Sequence, residues 1–289
     1  MKYLKYLVCL CSIIGFNVFS DEVDSNCESC KKEDPIGVQI SAQYAFGDFI
    51  GFKENYGSVG LFVTPSLIND LQMFTDLQGY YIGGDKWGGT VGVGARYWDS
   101  NKCRALGGNI YYDYREACVS SFSRLGIGLE SLGEVWDFRF NSYLLVDGTV
   151  KKSHLHVYNF SSGFRETCLE KEHAYTSFDA EVGANILRKA GINFYNALGT
   201  YYYASKNDQF WGGYLRVQFN VLNYLTLEAD VSYDKKYHTQ VKGIAALTFP
   251  LYGFKLDSLC DCSKRILLQP VYRNPMITTK KCCKYTQNW

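Results

Sequence analysis

The chain has 289 residues, with 30 basic and 29 acidic side chains and a net charge of +1. This balance gives no electrostatic reason to expect nucleic acid as a partner. Aromatic residues make up 16% of the chain, Gly is frequent at 27 and Pro is scarce at 5, a composition that fits the strands of a membrane barrel. The length allows one large all-β domain or two small ones.

The first 20 residues predict a secretory signal peptide. Lys2 and Lys5 form a short basic region, an apolar stretch follows, and small residues end at Ser20. A retained membrane anchor is the less favoured alternative. Loss of the two lysines with the leader takes the net charge to −1. Because no other run approaches the roughly 20 apolar residues that a membrane helix needs, a membrane location of the mature chain would require a β-barrel.

Residues 21–35 are charged and without periodicity, and predict a periplasmic arm. From residue 36 to residue 249, apolar residues recur at every second position, as in Val91, Val93 and Ala95. A strand places successive side chains on opposite faces. The pattern yields about twelve strands of about ten residues, which predicts an all-β fold, an antiparallel transmembrane β-barrel over 36–249. A soluble sandwich would also give half-buried strands, but the Gly-rich and acidic polar face favours a lumen.

The connections alternate in length, as they do in outer-membrane barrels, where long outer loops alternate with short periplasmic turns. The predicted outer connections are Phe46–Gly57, Gly83–Trp87, Arg115–Ser121, Asp147–Tyr175 and Ser205–Phe210. The predicted periplasmic turns are Ser66–Asn69, Leu132–Glu134, Lys189–Ala190 and Leu222–Asn223. Asp99–Ala105 is the exception, because it falls on the periplasmic side and is longer than a tight turn.

The polar residues that alternate with the apolar ones along each strand, which we call the polar parity, predict a charged lumen wall. Its acidic members are Asp76, Asp113, Glu130, Asp137, Asp179, Glu181, Glu228 and Asp230, and its basic members are Arg96, Arg124, Arg139, Arg216 and Lys242. The favoured interpretation is a cross-barrel network of salt bridges. The alternative is a set of charges that tunes ion passage.

Several motifs occur in a fixed order along these strands. They are GARYW at 94–98, LGGNIYYDY at 106–114, RLGIGLESLGEVWDFRFNSYL at 124–144 and FDAEVGANI at 178–186. Together they resemble the β-domain of inverse autotransporters, the intimin/invasin group, over roughly residues 36–277. The segment RILLQPVYRNPMI at 265–277 is similar to the one that follows the last strand in that family. The resemblance implies a twelve-stranded barrel with a periplasmic N-terminus, in the bacterial outer membrane, whose chain re-enters the lumen to display an adhesive passenger.

After Phe249 only 40 residues remain, so we expect no passenger of the usual kind. The tail, residues 250–289, should thread or plug the lumen, and only a short tip such as 278–289 should emerge. Its basic residues, Lys255, Lys264, Arg265 and Arg273, would meet the acidic lumen favourably. The alternative is a tail that remains in the periplasm.

Cysteine is unusually frequent, at 11 residues. Cys9 and Cys11 leave with the signal peptide. The candidates for disulfide bonds are Cys27, Cys30, Cys103, Cys118, Cys168, Cys260, Cys262, Cys282 and Cys283. In an oxidising envelope they should pair, and the odd number leaves one thiol free or bonded to another protein. A redox or zinc role of Cys27 and Cys30 is less favoured, so no metal or cofactor is expected.

No catalytic arrangement is readable from the spacing. His154, His156 and His173 lie in one predicted outer loop, without a nucleophile or paired carboxylates at a fixed distance. We therefore expect a surface and structural protein rather than an enzyme, which displays outer loops and a short tail, with a role in adhesion or in the envelope. The alternatives are a porin-like small-solute channel and a remnant without separate activity. The expected partners are outer-membrane lipid, the barrel-assembly machinery, envelope proteins joined through disulfides, and a receptor on a host or neighbouring cell.

Overall fold

The computed structural model describes residues 37–65, 70–118, 120–159, 165–189, 191–206, 208–222, 224–252 and 266–288. The predicted signal peptide and arm lie outside these residues. Twelve strands form the wall of a closed barrel: β1 (Gly37–Gly47), β2 (Tyr56–Thr64), β3 (Leu71–Ile82), β4 (Lys86–Asp99), β5 (Arg104–Glu116), β6 (Ser121–Gly133), β7 (Trp136–Leu145), β10 (Thr176–Lys189), β11 (Ile192–Ser205), β12 (Asp208–Val221), β13 (Leu225–Asp234) and β14 (His238–Tyr252). The remaining strands are β8 (Val150–Asn159), β9 (Arg165–Ala174) and β15 (Thr279–Asn288).

Every pair of neighbouring strands in the wall is antiparallel, and β1 pairs with both β2 and β14, which closes the barrel. The wall passes directly from β7 to β10, for example at Phe140↔Ala180. Strands β8, β9 and β15 form a separate sheet in the order β15-β9-β8, which we call the outer sheet. The prediction of an all-β fold with about twelve antiparallel barrel strands is confirmed.

The barrel has its apolar side chains on the outside and its charged side chains on the inside. Val93 and Leu129 are 54% and 61% exposed, whereas Arg96 and Arg124 are 0% and 1% exposed. A soluble sandwich would bury the apolar parity, so this distribution excludes the alternative fold. The alternation of apolar and polar residues produces this distribution directly, because every second side chain of each strand must line the narrow interior.

Among the described residues, no helix is long and apolar enough to span a membrane.

We call the end of the barrel where β1 begins and β14 finishes the terminal end, and the opposite end the loop end. Exposed aromatic side chains gather near both: Tyr44, Phe46, Tyr81, Trp87, Trp211 and Tyr233 near the loop end, and Tyr97, Trp136, Phe219 and Phe249 near the terminal end. Two such girdles flanking an apolar band are the pattern of a membrane-spanning barrel.

Two connections differ from their predicted form. The connection Asp99–Ala105 is shorter than predicted, because β4 extends to Asp99 and β5 starts at Arg104. The long loop Asp147–Tyr175, predicted without strands of its own, contains the hairpin β8–β9. This hairpin matters for the site, because β15 pairs with it over ten residues, from Thr279↔Ala174 to Asn288↔Arg165.

Candidate functional site

The C-terminal segment, which we define as residues 266–278, contacts the inner wall first at the terminal end. Residues 266–268 form a single helical turn, and Ile266 and Leu267 pack against Trp98, Ala105 and Leu132. The guanidinium of Arg96 donates to the carbonyl of Leu267 at 2.8 Å and to that of Gln269 at 2.6 Å. Glu130 accepts from Nε of the same arginine at 2.7 Å. One buried charge pair of the wall therefore also supports the backbone of the segment.

In the middle of the barrel, the segment is held by aromatic side chains. Val271 packs with Phe62, Phe74 and Tyr111, all inward-facing residues of β2, β3 and β5. On the opposite wall, the ring centroid of Tyr272 lies 3.4 Å from the guanidinium carbon of Arg216, a cation–π contact. Successive residues of the segment thus touch both sides of the lumen.

Asp113 is the centre of a cluster that joins the segment to the wall, which we call the Asp113 cluster. Its carboxylate is 1% exposed and accepts from Nε of Arg124 at 2.6 Å. Arg273 donates to both carboxylate oxygens, at 2.8 and 2.5 Å, the two-pronged geometry for which arginine is suited. Thr90 adds a hydroxyl bond of 2.8 Å.

A glycine makes room for Arg273. A Cβ atom at Gly126, on β6, would lie 3.0 Å from Nη2 of Arg273, which is closer than such contacts normally are. The space that Arg273 needs explains why a glycine occupies the inward-facing position 126 of β6.

Beyond Arg273, the backbone of the segment is bonded by inward-facing side chains. Arg124 donates to the carbonyls of Met276, at 3.1 Å, and of Asn274. The amide of Asn274 donates to the hydroxyl of Tyr143 at 2.9 Å. Arg115 donates to the carbonyl of Ile277. Buried backbone groups need such partners, and here the wall supplies them.

At the loop end, the last residue of the segment contacts the connections between strands, and β15 of the outer sheet follows. Thr278 donates to the carbonyl of Ile50 at 3.1 Å and accepts from the amide of Tyr175 at 3.2 Å. From Thr279 onwards β15 pairs with β9. The contacts of residues 266–278 therefore run from one end of the barrel to the other.

A polar cluster lies beside this exit. Asp208 accepts from the hydroxyl of Tyr175 at 2.8 Å and forms ion pairs with Lys236 and, at 3.5 Å, with Lys280 of β15. Burial and the bond to Asp208 raise the pKa of the Tyr175 hydroxyl. Burial, followed by the charge of Asp208, raises the pKa of Tyr237 to about 12. The Tyr175 hydroxyl therefore stays protonated at physiological pH and can donate to Asp208.

A second group of charges, which we call the Glu181 cluster, joins several strands of the wall to one another. Glu181 pairs with Arg216 at 2.5 Å and with Arg139 at 3.1 Å. Arg139 also pairs with Asp137 at 3.0 Å, and Arg216 with Glu228 at 3.5 Å. These charges come from β7, β10, β12 and β13, and no charge of the C-terminal segment takes part in these described ion pairs.

The remaining predicted lumen residues lie near these clusters. Asp230 pairs with Lys242 at 2.7 Å. Asp76 accepts from Tyr111 at 3.1 Å, and Asp179 accepts from Asn141 at 2.8 Å. Asp230 is 0% exposed and Asp76 2% exposed. The structure thus gives every predicted lumen charge a described hydrogen-bond or ion-pair partner on the inner wall.

The predicted disulfide cysteines fall in several places. Cys103 lies in the β4–β5 turn at the terminal end, where it packs beside the cluster that holds Ile266, and Cys118 is exposed in the β5–β6 connection. Cys168 is in β9, and Cys282 and Cys283 are in β15, two strands that pair with each other. Cys27, Cys30, Cys260 and Cys262 lie outside the described residues. Cysteine pairing remains a prediction.

Some residues of the site were not identified from the sequence. Arg115 and Glu54 form an ion pair at 3.9 Å near the exit of the segment, and Tyr143 and Tyr203 bond to Asn274. The tyrosines lie on inward positions of their strands, which alternation could have revealed. Glu54 lies in a connection without periodicity, so no local pattern assigns it.

The closed barrel, the apolar outward face and the charged interior together define an outer-membrane β-barrel protein. Residues 83–186, a stretch that runs from just before β4 into β10, match the family described as the inverse autotransporter β-domain. This match confirms the resemblance found in the sequence and the location in the bacterial outer membrane. No curated protein matches the chain.

Several solved structures also match the chain. One comes from work on in-meso crystallization of membrane proteins, with 15% identity, a TM-score of 0.62, and coverage of 86% of this chain and 100% of the other. An outer membrane channel from Pseudomonas putida F1 has 14% identity, a TM-score of 0.47, and coverage of 79% and 100%. A KdgM porin in complex with disordered oligogalacturonate has 6% identity, a TM-score of 0.44, and coverage of 74% and 99%. At these identities, only the first similarity bears on this chain, and it concerns the fold.

Proposed function

We propose that the barrel is a membrane anchor whose C-terminal segment threads the lumen and presents β15 at the cell surface. The observation that carries this proposal is the unbroken series of contacts from Ile266 to Thr278, followed by pairing of β15 with β9. If the segment left the lumen, Asp113 would lose the two bonds from Arg273, and Arg96 and Arg124 would lose their carbonyl acceptors. Hydrogen-bonding groups of a buried network are costly to leave unpaired, so the wall favours the threaded arrangement.

Under this proposal the loop end faces outside, and the outer sheet is the displayed structure. A β-hairpin alone is marginally stable, and β15 adds a third strand to it. Threading and display are therefore coupled, because the tail must cross the barrel before it can complete the sheet. The surface of this sheet is our candidate for contact with a receptor on another cell.

The first experiment is to locate the C-terminus. An epitope placed after Trp289 should be labelled by antibody on intact cells. A matched epitope in the β3–β4 turn, at Gly84, should also be labelled, whereas one in the β4–β5 turn, at Asn101, should require opening of the outer membrane. Labelling of the C-terminal epitope only after opening would contradict threading and would leave a periplasmic tail.

The receptor role has its own test. Deletion of residues 150–173 removes the hairpin that receives β15 and leaves the twelve wall strands intact. Cells that express this variant should bind other cells less than cells with the complete protein at equal surface amounts. Unchanged binding would remove adhesion from the proposal without affecting the anchor.

The proposed role in the envelope depends on disulfide bonds to other envelope proteins. The protein with the epitope after Trp289 also tests this role. Electrophoresis without reductant should give slower species that reduction converts to the monomer. A single band under both conditions would exclude disulfide tethering.

Conductance of the intact barrel in planar bilayers would instead favour the porin-like channel, since a threaded segment should block ions.

A further inference from the structure

The outer wall has an indentation near the loop end, where two strands lack outward side chains at the same level. The register aligns Val59, Gly79, Gly89 and Tyr114 in one row across β2, β3, β4 and β5. Alternation places these positions outward, in the same parity as the exposed Leu77 and Val91. A Cβ atom at Gly79 would meet nothing within 4 Å. The two glycines therefore form the floor of an open groove.

The walls of the groove are almost entirely apolar. Its volume is about 680 Å³. Leu77 and Val91 border it toward the middle of the membrane, and Trp87 borders it toward the loop end, with its ring centroid 5.0 Å from that of Tyr114. Trp87 belongs to the loop-end aromatic girdle. The groove thus begins at the level of the lipid headgroups and descends into the hydrocarbon layer.

We propose that this groove holds one acyl chain of a membrane lipid as a fixed ligand of the barrel. An unfilled gap beside Leu77, Val91 and Trp87 would cost these side chains their dispersion contacts, and a flexible hydrocarbon chain can fill it. No side-chain charge lines the groove, so the recognised chemistry is the chain rather than a headgroup. The groove extends from the aromatic girdle into the apolar band, which is the course of an acyl chain that lies along the membrane normal.

A second copy of the protein is the competing occupant. A stable protein interface buries about 800 Å² on each partner, which requires a broad complementary surface. The groove is a local gap between two glycines and their neighbours, the size of a small-molecule pocket. The geometry therefore favours a single chain over another barrel, and the test separates the two.

The experiment is native mass spectrometry of the purified protein in detergent, with phosphatidylethanolamine added as the probe lipid. The wild-type protein should retain one lipid under conditions that strip loosely bound molecules. Gly79→Leu fills the open space and should reduce lipid retention severalfold. Gly213→Leu is the matched control, because Gly213 is an outward glycine on β12, across the barrel, where an added Cβ would also make only an ordinary contact, 3.5 Å from the carbonyl oxygen of Gly199.

Gly89→Leu is a second variant that fills the same groove from the neighbouring strand and should reproduce the loss. Circular dichroism verifies that each variant retains its β-structure. The proposal is overturned if the wild-type protein retains no lipid, or if both leucine variants retain as much as the wild type. A wild-type dimer that either variant converts to a monomer, with lipid retention unchanged, would assign the groove to a second copy. None of these outcomes depends on whether the tail threads the lumen.

Discussion

The Asp113 cluster and the Glu181 cluster are both buried networks of carboxylates and guanidinium groups, but they join different parts of the molecule. Among the described residues, the ion pairs of Arg124 and Arg273 are both with Asp113. In the Glu181 cluster, Arg139 and Arg216 each have a second carboxylate, Asp137 and Glu228. The first cluster therefore has one carboxylate for two cations, one of which belongs to the tail. The ion pairs of the second cluster are redundant and join residues of the wall, and the tail touches it through the ring of Tyr272 on Arg216.

The same pairing of carboxylates with guanidinium groups therefore serves two purposes in one lumen. The Glu181 cluster joins strands of the wall, and its second carboxylates should preserve some of its ion pairs when one member is removed. The Asp113 cluster joins the C-terminal segment to the wall through a single carboxylate. The comparison can be tested by removing members of each cluster.

Asp113→Ala should have the largest effect. It leaves two buried guanidinium groups without their carboxylate, a change that costs about 3–5 kcal/mol. The free energy of unfolding in lipid vesicles should fall by this amount, and the tail should become accessible to protease at Arg273. Intact protection of the tail would show that Asp113 does not anchor it.

The double variant Asp113→Ala with Arg273→Met sharpens this test. It removes the charge of Arg273 together with its partner, so it should recover part of the lost stability. Strict additivity of the two substitutions would contradict direct coupling between Asp113 and Arg273.

Glu181→Ala should have a smaller effect, about 1–3 kcal/mol, because Arg139 and Arg216 keep their other carboxylates. The free energy of unfolding should fall while the tail remains protected from protease at Arg273. Release of the tail by this substitution would erase the distinction between the two clusters.

Arg273→Lys should reduce stability by about 1 kcal/mol, since an ammonium group keeps the charge but loses the two-pronged bond to Asp113. The measurement is the rate of tail proteolysis in the folded barrel, which should rise slightly. A rate as high as that of Asp113→Ala would mean that geometry, and not charge, holds the segment.

Lys102→Ala should have the smallest effect of these substitutions. Lys102 pairs with Asp99 at 3.6 Å, but its side chain is 76% exposed, and exposed pairs contribute about 0–1 kcal/mol, often too little to measure. Neither unfolding nor tail protection should change measurably. A change comparable to that of Glu181→Ala would show that the turns, and not the lumen, limit stability.

The outward wall was predictable because its signal is local. The alternation in Val91, Val93 and Ala95 depends only on the chain geometry of a strand, and it recurs often enough to count the strands. The β8–β9 hairpin was missed because its strands lie outside the barrel and carry several charged and polar residues, such as Lys151, Lys152 and Glu172, where the wall strands have apolar ones.

By itself, the sequence determined the parity of the wall, the all-β antiparallel fold and the family resemblance, because these follow from residues close together in the chain. Only the tertiary structure decided which inward-facing charged side chains pair with one another. Arg273 and Asp113 are 160 residues apart, and β15 finds β9 more than 100 residues away. Only closure of the barrel brings such residues together, since the lumen selects partners by depth and direction across the wall, and a linear pattern contains neither.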